Sequence, residues 1–330
     1  MLKDVGNKVL LSIIIINYRT PKLLTDCLNT LLPELGNVDA RIVIIDNHSG
    51  DESPVIINKW LTEHDTESKV LFIQSKTNAG FAAGNNLGIK TLDANYYLLL
   101  NSDTLVRKGA IQTILDTMKH HPKAGLISPR LEWPNGEGQE SCFRFHKPLS
   151  EFMGAAQTGF IDRLLNRSIV ALPVQLKIAH PEWTSFACVL IRCEVFQQIG
   201  LLDEGYFMYY EDAEFCHRVY KSGWQIVHNP DARVVHLRGG SSPVKRNTQL
   251  KKRLPSYYYE SRARYFYQIY GFGGLTLANL FWWLGRLISK SRQIFGRCDK
   301  AVSEKKWLDI WTNWLHPLKS YTHPSNKKSM

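Results

Sequence analysis

None of the six cysteines (Cys27, Cys142, Cys188, Cys193, Cys216 and Cys298) forms a CxxC pair. Most stand in apolar contexts, which predicts reduced, mostly buried thiols in a cytosolic chain rather than a disulfide framework or a zinc ribbon. The first apolar run, Val9 to Ile16, is eight residues long and is followed by Asn17 and Tyr18. It is too short for a signal-peptide core with a cleavage site. The turn after it, NYRTP, lacks the glycine spacing that lets a pyrophosphate approach a helix start, which argues against a dinucleotide cofactor. No GxxxxGK[ST] occurs either, which argues against a P-loop ATPase. The uncharged stretch Gly271 to Gly285, fifteen residues, falls short of the about 20 needed for a membrane span.

Charge is abundant but unevenly placed. Lys and Arg balance Asp and Glu over residues 1–150, 16 against 16, whereas residues 151–330 hold 25 against 14. The whole net charge of +11 therefore lies in the second half. A basic half beside a neutral one suits nucleic acid, an anionic membrane surface or a phosphorylated substrate.

The first 120 residues alternate strand and helix. VLLSIIIINY, ARIVIID, KVLFIQS and YYLLLN read as apolar strands buried on both faces, and helical patterns separate them: one opened by Pro21, one from about Ser53 to Leu61, and one entered from the Gly/Asn loop of NAGFAAGNNLGIKTL, with a further one from about Lys108 after the last strand. This βαβα grammar predicts an α/β fold with a doubly wound, mainly parallel sheet. Beyond Glu132 the pattern loosens. AGLISPRL and Trp183 to Ile191 read as strands, CEVFQQIG as a short helix, and the segment ending KSG as a helix stopped by Gly223. WQIVHNPDARVVHLRGGSS reads as two short strands and a loop, and HPSNKKSM as a frayed terminus.

Three strands end in polar side chains: Asn17-Tyr18, Asp46-Asn47 and Asn101-Ser102-Asp103. In open α/β sheets ligands collect beyond such carboxyl ends. Each set alone also serves as a turn or helix cap; three in succession point to one cleft. Asp46 can accept hydrogen bonds from a base or ribose, and Tyr18 can line the base slot. Asn78 to Asn86 is a Gly/Asn loop entering a helix, whose N–H groups can face a diphosphate, although Gly80 and Gly84 also suit a tight turn. Asp103 suits Mg2+ or Mn2+ bridging phosphates, with His236 as a further ligand. Asp212, after the aromatic run YFMYY, suits a general base in a partly apolar rim, while acids at a helix start also complement the dipole.

The tail from Lys245 is basic and aromatic. Its uncharged run suits a helix lying at a headgroup surface and equally a helix docked on the catalytic domain, and both hold if a docked helix leaves an edge exposed. Nucleic acid is the lesser reading, because the run speaks for membrane.

On SIIIINYRTPKLLTDCLNTL, VIIDNHSGDES, NAGFAAGNNLGI, YYLLLNSDTLV, the segment FACVLIRCEVFQQIGLLDEGYFMYYEDAEFCHRVYKSGW and VVHLRGGSS, in that order over about residues 9 to 242, the chain resembles a family 2 glycosyltransferase of the GT-A fold, in the rhamnosyltransferase-like branch of cell-surface polysaccharide assembly. The resemblance implies a GT-A domain over residues 1–242, with a nucleotide-sugar half to about 130, a small mixed acceptor-side sheet, and a helical C-terminal region over 243–330. It implies that Tyr18 and Asp46 line the nucleoside pocket and that Asn78, Gly80 and Asn85 hold the nucleotide-sugar. Asn101-Ser102-Asp103 takes the DxD position with Asn in place of the first acid, leaving Asp103 as metal ligand. Asp212 becomes the catalytic base with Glu211 beside it, His236 completes the metal site, and Arg218 sits near the diphosphate or packs its helix. Glu214 departs from the Asp common at its position.

The implied activity is inverting, metal-dependent transfer from dTDP-L-rhamnose to a polyprenyl-diphosphate-linked glycan at the cytoplasmic face of the cell membrane. A UDP-hexose donor is the first rival. A non-catalytic sugar- or lipid-binding subunit is the second, and it predicts loss of Asp103 or Asp212, both of which are present.

Overall fold

The computed structural model describes residues 8–36, 38–64, 69–159, 163, 165–238, 243–294 and 302–323. Strand β1 (Val9–Asn17) is buried at every position but Leu10 and Ile16, as its unbroken apolar sequence requires. Helix α1 (Pro21–Leu35) follows, opened by Pro21 in its first turn and burying Leu24, Cys27, Leu28, Leu31 and Leu35 at helical spacing. Next come β2 (Ala40–Asp46), α2 (Ser53–Glu63), β3 (Val70–Gln74), α3 (Gly80–Thr91), β4 (Ala94–Asn101), β5 (Thr104–Val106), α4 (Ala110–His120) and β6 (Ala124–Glu132). The later elements are β7 (Cys142–Phe143), α5 (Pro148–Ala156), β8 (Trp183–Thr184), β9 (Cys188–Arg192), α6 (Cys193–Ile199), α7 (Glu211–Lys221), β10 (Gln225–His236), α8 (Pro243–Gln249), α9 (Ser256–Ile294) and α10 (Lys306–Asp309).

Eight strands form one mixed sheet in the order β3-β2-β1-β4-β9-β6-β10-β5, and β7 with β8 forms a small second sheet. The first four are parallel, β9 runs antiparallel to both β4 and β6, β10 is parallel to β6, and β5 closes the edge antiparallel to β10. The mainly parallel α/β architecture expected from the sequence is the one observed. Two local expectations change. The segment Trp183 to Ile191 is two strands, because the chain leaves the small sheet at Thr184 before joining the large one at Cys188. The pair of strands expected within Gln225 to His236 is a single strand with a bulge between Asn229 and Arg233, which absorbs the Pro230 that a regular ladder would reject.

The register of β1 sets the polar edge. Asn17 lies opposite Asp46 on one side, and Ile16 lies opposite Asn101 on the other. All three polar ends therefore fall on one rim of the sheet.

The chain divides into two compact units. The first comprises Met1–Cys142, Pro173–Glu204 and Phe215–Ser241, and contains the large sheet. The second comprises Phe143–Leu172, Gly205–Glu214 and Ser242–Met330. The boundary expected at Ser242, the Gly239–Ser242 loop, Cys298 and the stretch after His323 lie outside the described residues. In the second unit α9 packs along α5. The uncharged stretch of the tail reaches back to Tyr265, but Gly271 (φ 68°) breaks the helix within it. No helix among the described residues is long and apolar enough to cross a membrane.

Candidate active site

Asp46, at the end of β2, is buried and accepts three hydrogen bonds: from Asn17 Nδ2 (2.8 Å), Ser49 Oγ (2.5 Å) and the Ser49 N–H (3.1 Å). Asn17 in turn accepts from the Thr20 N–H and hydroxyl, both at 3.3 Å. The Thr20 hydroxyl lies 3.1 Å from that of Ser102. A chain of side chains thus ties the ends of β1, β2 and β4 together in a buried polar seam, where each bond is strengthened by the low dielectric around it. Tyr18, next in sequence after Asn17, is half-buried with the Arg19 guanidinium 5.2 Å from its ring centre. Arg19 itself is fixed by two bonds to Ser49, from its N–H to Oγ and from Nε to the carbonyl.

Asn47 extends the seam toward α3. Its Nδ2 donates to Asn78 Oδ1 (2.9 Å) and to the Gly80 carbonyl (3.0 Å), and the Gly80 N–H donates to Asn78 Oδ1. Asn78 and Gly80 are therefore held as one turn, with Gly80 in the left-handed region (φ 89°) that favours glycine. Asn85 is buried and donates to the Phe81 carbonyl within α3. Gly84 is no turn residue. It lies inside α3 against β1, where a Cβ would stand 2.6 Å from Ile16 Cδ1.

Asn101 accepts from the Thr104 hydroxyl through its carbonyl, closing the turn that presents Asp103. The antiparallel pairing of β5 and β10 sets His236 opposite Thr104, and the Leu237 N–H donates to the Asp103 carbonyl at 2.9 Å. His236 Nε2 consequently lies 3.4 Å from Asp103 Oδ1, the two side chains being about equally shielded. Adjacent ligands of an octahedral cation with bonds of about 2.1 Å are about 3 Å apart, so this pair fits two neighbouring positions on a hard divalent ion. His236 Nδ1 is buried without a hydrogen-bond partner. No three His, Cys, Asp or Glu side chains converge among the described residues. A cation here would take its other ligands from phosphate oxygens and water. Arg238, two residues on, stacks on Trp133. Burial lowers its pKa, against the opposing charges of Glu140 and Asp103.

The remaining expected residues sit in different settings. Arg218 donates to the carbonyls of Ile199 (2.7 Å) and Leu201 (3.0 Å) and lies over Phe215, so it packs α7 onto the end of α6. Glu211 and Asp212 begin α7 within the second unit. Asp212 Oδ1 accepts from the Ala213 N–H at 2.8 Å. Glu211 is buried, and burial followed by the neighbouring charge of Asp212 pushes its carboxyl well above the usual range. The two residues before it, Tyr209 (φ 73°) and Tyr210 (φ 68°), are both left-handed, a costly conformation for side chains of that size. Tyr210 is held by ring contacts to His146, Tyr258 and Tyr265, all in the second unit.

Sequence reasoning missed Thr20, Ser49 and Asn86. Asn86 receives the Leu202 N–H and donates to the Leu202 carbonyl and Glu204, fastening α3 to a segment more than a hundred residues away. The first two signal themselves only as small polar residues beside strand ends. Asn86 stands out as a second amide within an otherwise apolar helix.

Two family descriptions match: Glycosyl transferase family 2 over residues 12–158 and Glycosyl transferase family group 2 over residues 96–296. The chain belongs to the family 2 glycosyltransferases. It is 31% identical over 224 residues to a low-salt glycan biosynthesis hexosyltransferase of Haloferax volcanii, covering 66% of this chain and 63% of that protein. It is 27% identical over 217 residues to an N-acetylglucosaminyl-diphospho-decaprenol L-rhamnosyltransferase of Mycobacterium tuberculosis, covering 61% of this chain and 67% of that one. Among solved structures it resembles a mannosyltransferase of Pyrobaculum calidifontis in complex with GDP-Man and Mn2+, with TM-score 0.54 and 11% identity over 90% of this chain and 80% of that one. That likeness places this member of the family in the GT-A-like fold.

Proposed function

We propose that this family 2 member is an inverting glycosyltransferase that moves L-rhamnose from dTDP-L-rhamnose to a hydroxyl of a polyprenyl-diphosphate-linked glycan, at the cytoplasmic face of a membrane, in surface polysaccharide synthesis. The observation that carries the reading of a nucleotide-sugar site is the joined rim: the Asp46–Asn17–Thr20–Ser102 seam next to Asp103, with His236 3.4 Å from Asp103. The rim supplies polar groups for a nucleoside beside a carboxylate and imidazole for a cation on its diphosphate. Tyr18 and Asp46 are assigned to the nucleoside, Asn78, Gly80 and Asn85 to holding the nucleotide-sugar, and Asn101, Ser102 and Asp103 to the diphosphate. Mg2+ or Mn2+ at Asp103 and His236 would neutralise the charge of the leaving diphosphate.

Asp212 is assigned as the base that takes the acceptor proton. Glu211 beside it has its carboxyl pushed well above the usual range by burial and then by the charge of Asp212. Attack from the face opposite the diphosphate in a single displacement gives inversion. The Mycobacterium relative, named for L-rhamnose transfer to a decaprenol-linked sugar, supports the transferred sugar and the acceptor class. The Haloferax relative, named a hexosyltransferase and the more similar at 31%, supports a second reading in which the sugar is another hexose, for which a UDP-hexose is the donor to test.

The test is a thermal-shift panel of dTDP-L-rhamnose, UDP-galactose, UDP-GlcNAc and GDP-mannose, each with Mn2+ and with chelator, followed by transfer to a polyprenyl-diphosphate-linked acceptor. We expect the dTDP sugar to raise Tm with Mn2+ and the shift to shrink with chelator. A shift with a UDP-hexose alone would select the second reading, and no shift with any of the four would remove the nucleotide-sugar assignment.

A further inference from the structure

After Gly271, α9 is apolar on two faces. Leu275, Ala278, Trp282 and Gly285 recur at helical spacing and are buried. At Gly285 the neighbouring helix comes so close that a Cβ would stand 2.4 Å from the Phe152 carbonyl of α5. This face therefore has its partner. Leu277, Leu280, Leu284 and Leu287 also recur at helical spacing, and each is between 47% and 61% exposed. A folded chain normally turns polar residues outward on the face opposite its packing face. Four leucines in register over about 15 Å of helix make a stripe, not scattered surface apolars.

The surroundings of the stripe fit one class of partner. Trp283, beside it on α9, meets the exposed Trp307 at 6.3 Å, and Phe272 meets Trp314 at 5.0 Å. Leu308, Leu315 and Leu318 add exposed apolar surface in the same unit. Exposed Lys290 follows Leu287 on the same helical spacing, and Lys305 and Lys319 are exposed beside Trp307 and Leu318. Residues 243–330 contain 17 Lys and Arg against 4 Asp and Glu. Of those acids, Asp309 accepts from Arg253 Nε and Nη2 and Glu260 accepts the Thr322 N–H. Leucines flanked by tryptophans and lysines are the composition of a surface that sinks into the headgroup region of an anionic bilayer. A second copy of the chain fits less well, since it would bring two segments of the same strong positive charge together, and lysine is depleted at protein interfaces.

We infer that the Leu277–Leu280–Leu284–Leu287 face of α9, with Trp307 and the adjoining lysines, docks on an anionic lipid surface, the helix lying in the plane of the headgroups. The inference deepens the reading of a lipid-linked acceptor and rests on it only for the biological purpose of docking. The stripe is too short to span the about 30 Å of hydrocarbon, so the mode is peripheral.

The experiment is co-flotation of the full chain with vesicles of equal parts phosphatidylglycerol and phosphatidylcholine, and with phosphatidylcholine alone. The wild-type chain should float with the anionic vesicles and largely stay behind with the neutral ones, and salt should weaken binding. The triple variant L280Q/L284Q/L287Q should lose about tenfold or more in partition while keeping its Tm. A second variant, K290E/K305E, should lose anionic selectivity with the leucines intact. Unchanged flotation of both variants overturns the inference. So does a wild-type dimer in light scattering that the triple variant abolishes without any vesicle binding, which would give the face to a second copy. Nucleotide-sugar thermal shifts measured on the same variants separate the two readings. Shifts that persist with flotation lost support the docking face alone, and shifts absent from the wild type defeat the donor reading without touching this one.

Discussion

Asp46 and Asp103 are both carboxylates at strand ends, yet their surroundings give them different work. Asp46 spends three acceptor positions on Asn17 and Ser49, so it shapes the rim and keeps about one carboxylate position for the nucleoside assigned to it. Asp103 faces an imidazole 3.4 Å away at a shielded but reachable position. A similar contrast separates Glu211, whose carboxyl is pushed well above the usual range by burial and then by the charge of Asp212, from Asp212, which lies at the start of α7 and accepts from the Ala213 N–H. If Asp212 is the base, Asp212→Asn keeps the shape and the Ala213 bond but removes the proton acceptor. Transfer should fall by about a thousandfold or more while the nucleotide-sugar thermal shift stays within error of wild type. Equal loss of both would mean that Asp212 supports the binding site rather than the chemistry.

Among elements, the glycines show how closely helices approach their neighbours. Gly88 in α3 leaves no room before Ile14 of β1, where a Cβ would lie 2.5 Å from Cγ2. Gly285 does the same for α9 against the backbone of α5. The obstructing atoms at Gly285, two of them backbone and the third the Ala155 Cβ, cannot rotate away. Gly285→Ala should therefore cost about 1–3 kcal/mol in denaturant unfolding. Gly273→Ala, which meets nothing within 4 Å, serves as the tolerated control. Apolar strands and the Pro21 helix start were legible because period and capping are local properties. The single bulged β10 was not, because Pro230 reads as a break until the partner strand absorbs the extra residues. Nor was the packing role of Gly84, since nothing in NAGFAAGNN tells a turn from a close approach.

For the molecule as a whole, the second unit is assembled from three separated pieces of chain, and the one that carries Glu211 and Asp212 is only ten residues long. Ending the chain at residue 242 would strip α5 of α9 and Tyr210 of Tyr258 and Tyr265. The tail is thus part of the fold that supports the proposed base, and membrane binding is better tested by surface substitutions than by truncation.

Acid stability also belongs to this scale, because each unit contains a histidine kept neutral. Burial, aided by the charge of Arg130, lowers His228 to about 4. Burial also lowers His146 to about 4, with Glu151 opposing and Arg262 assisting. The unfolded chain takes up these protons near the ordinary value of 6.5, so between 6.5 and 4 it binds more protons than the folded one. Burial raises the Glu132 carboxyl, but hydrogen bonds and charge from Arg233 and Arg107 outweigh it and hold the group below its ordinary 4.5. Its contribution is present above 4.5 and is lost as pH falls through the depressed folded value. Tm should therefore begin to fall below about pH 6.5 and fall further below about 4.5. His228→Gln should flatten the upper part of that decline, and an undiminished slope in the variant would show that His228 is not its source.

The sequence by itself determined the βαβα order, the parallel sheet and the three polar strand ends, because hydrophobic period and turn chemistry act over a few residues. Only the tertiary structure decided how those ends are joined. The register of β1 puts Asn17 beside Asp46, and the antiparallel return of β10 beside β5 carries His236 to Asp103 across more than 130 residues of chain. It also decided which face of the tail helix is covered and which is left bare, since an all-apolar helix carries no sign of its buried side until a partner packs against it.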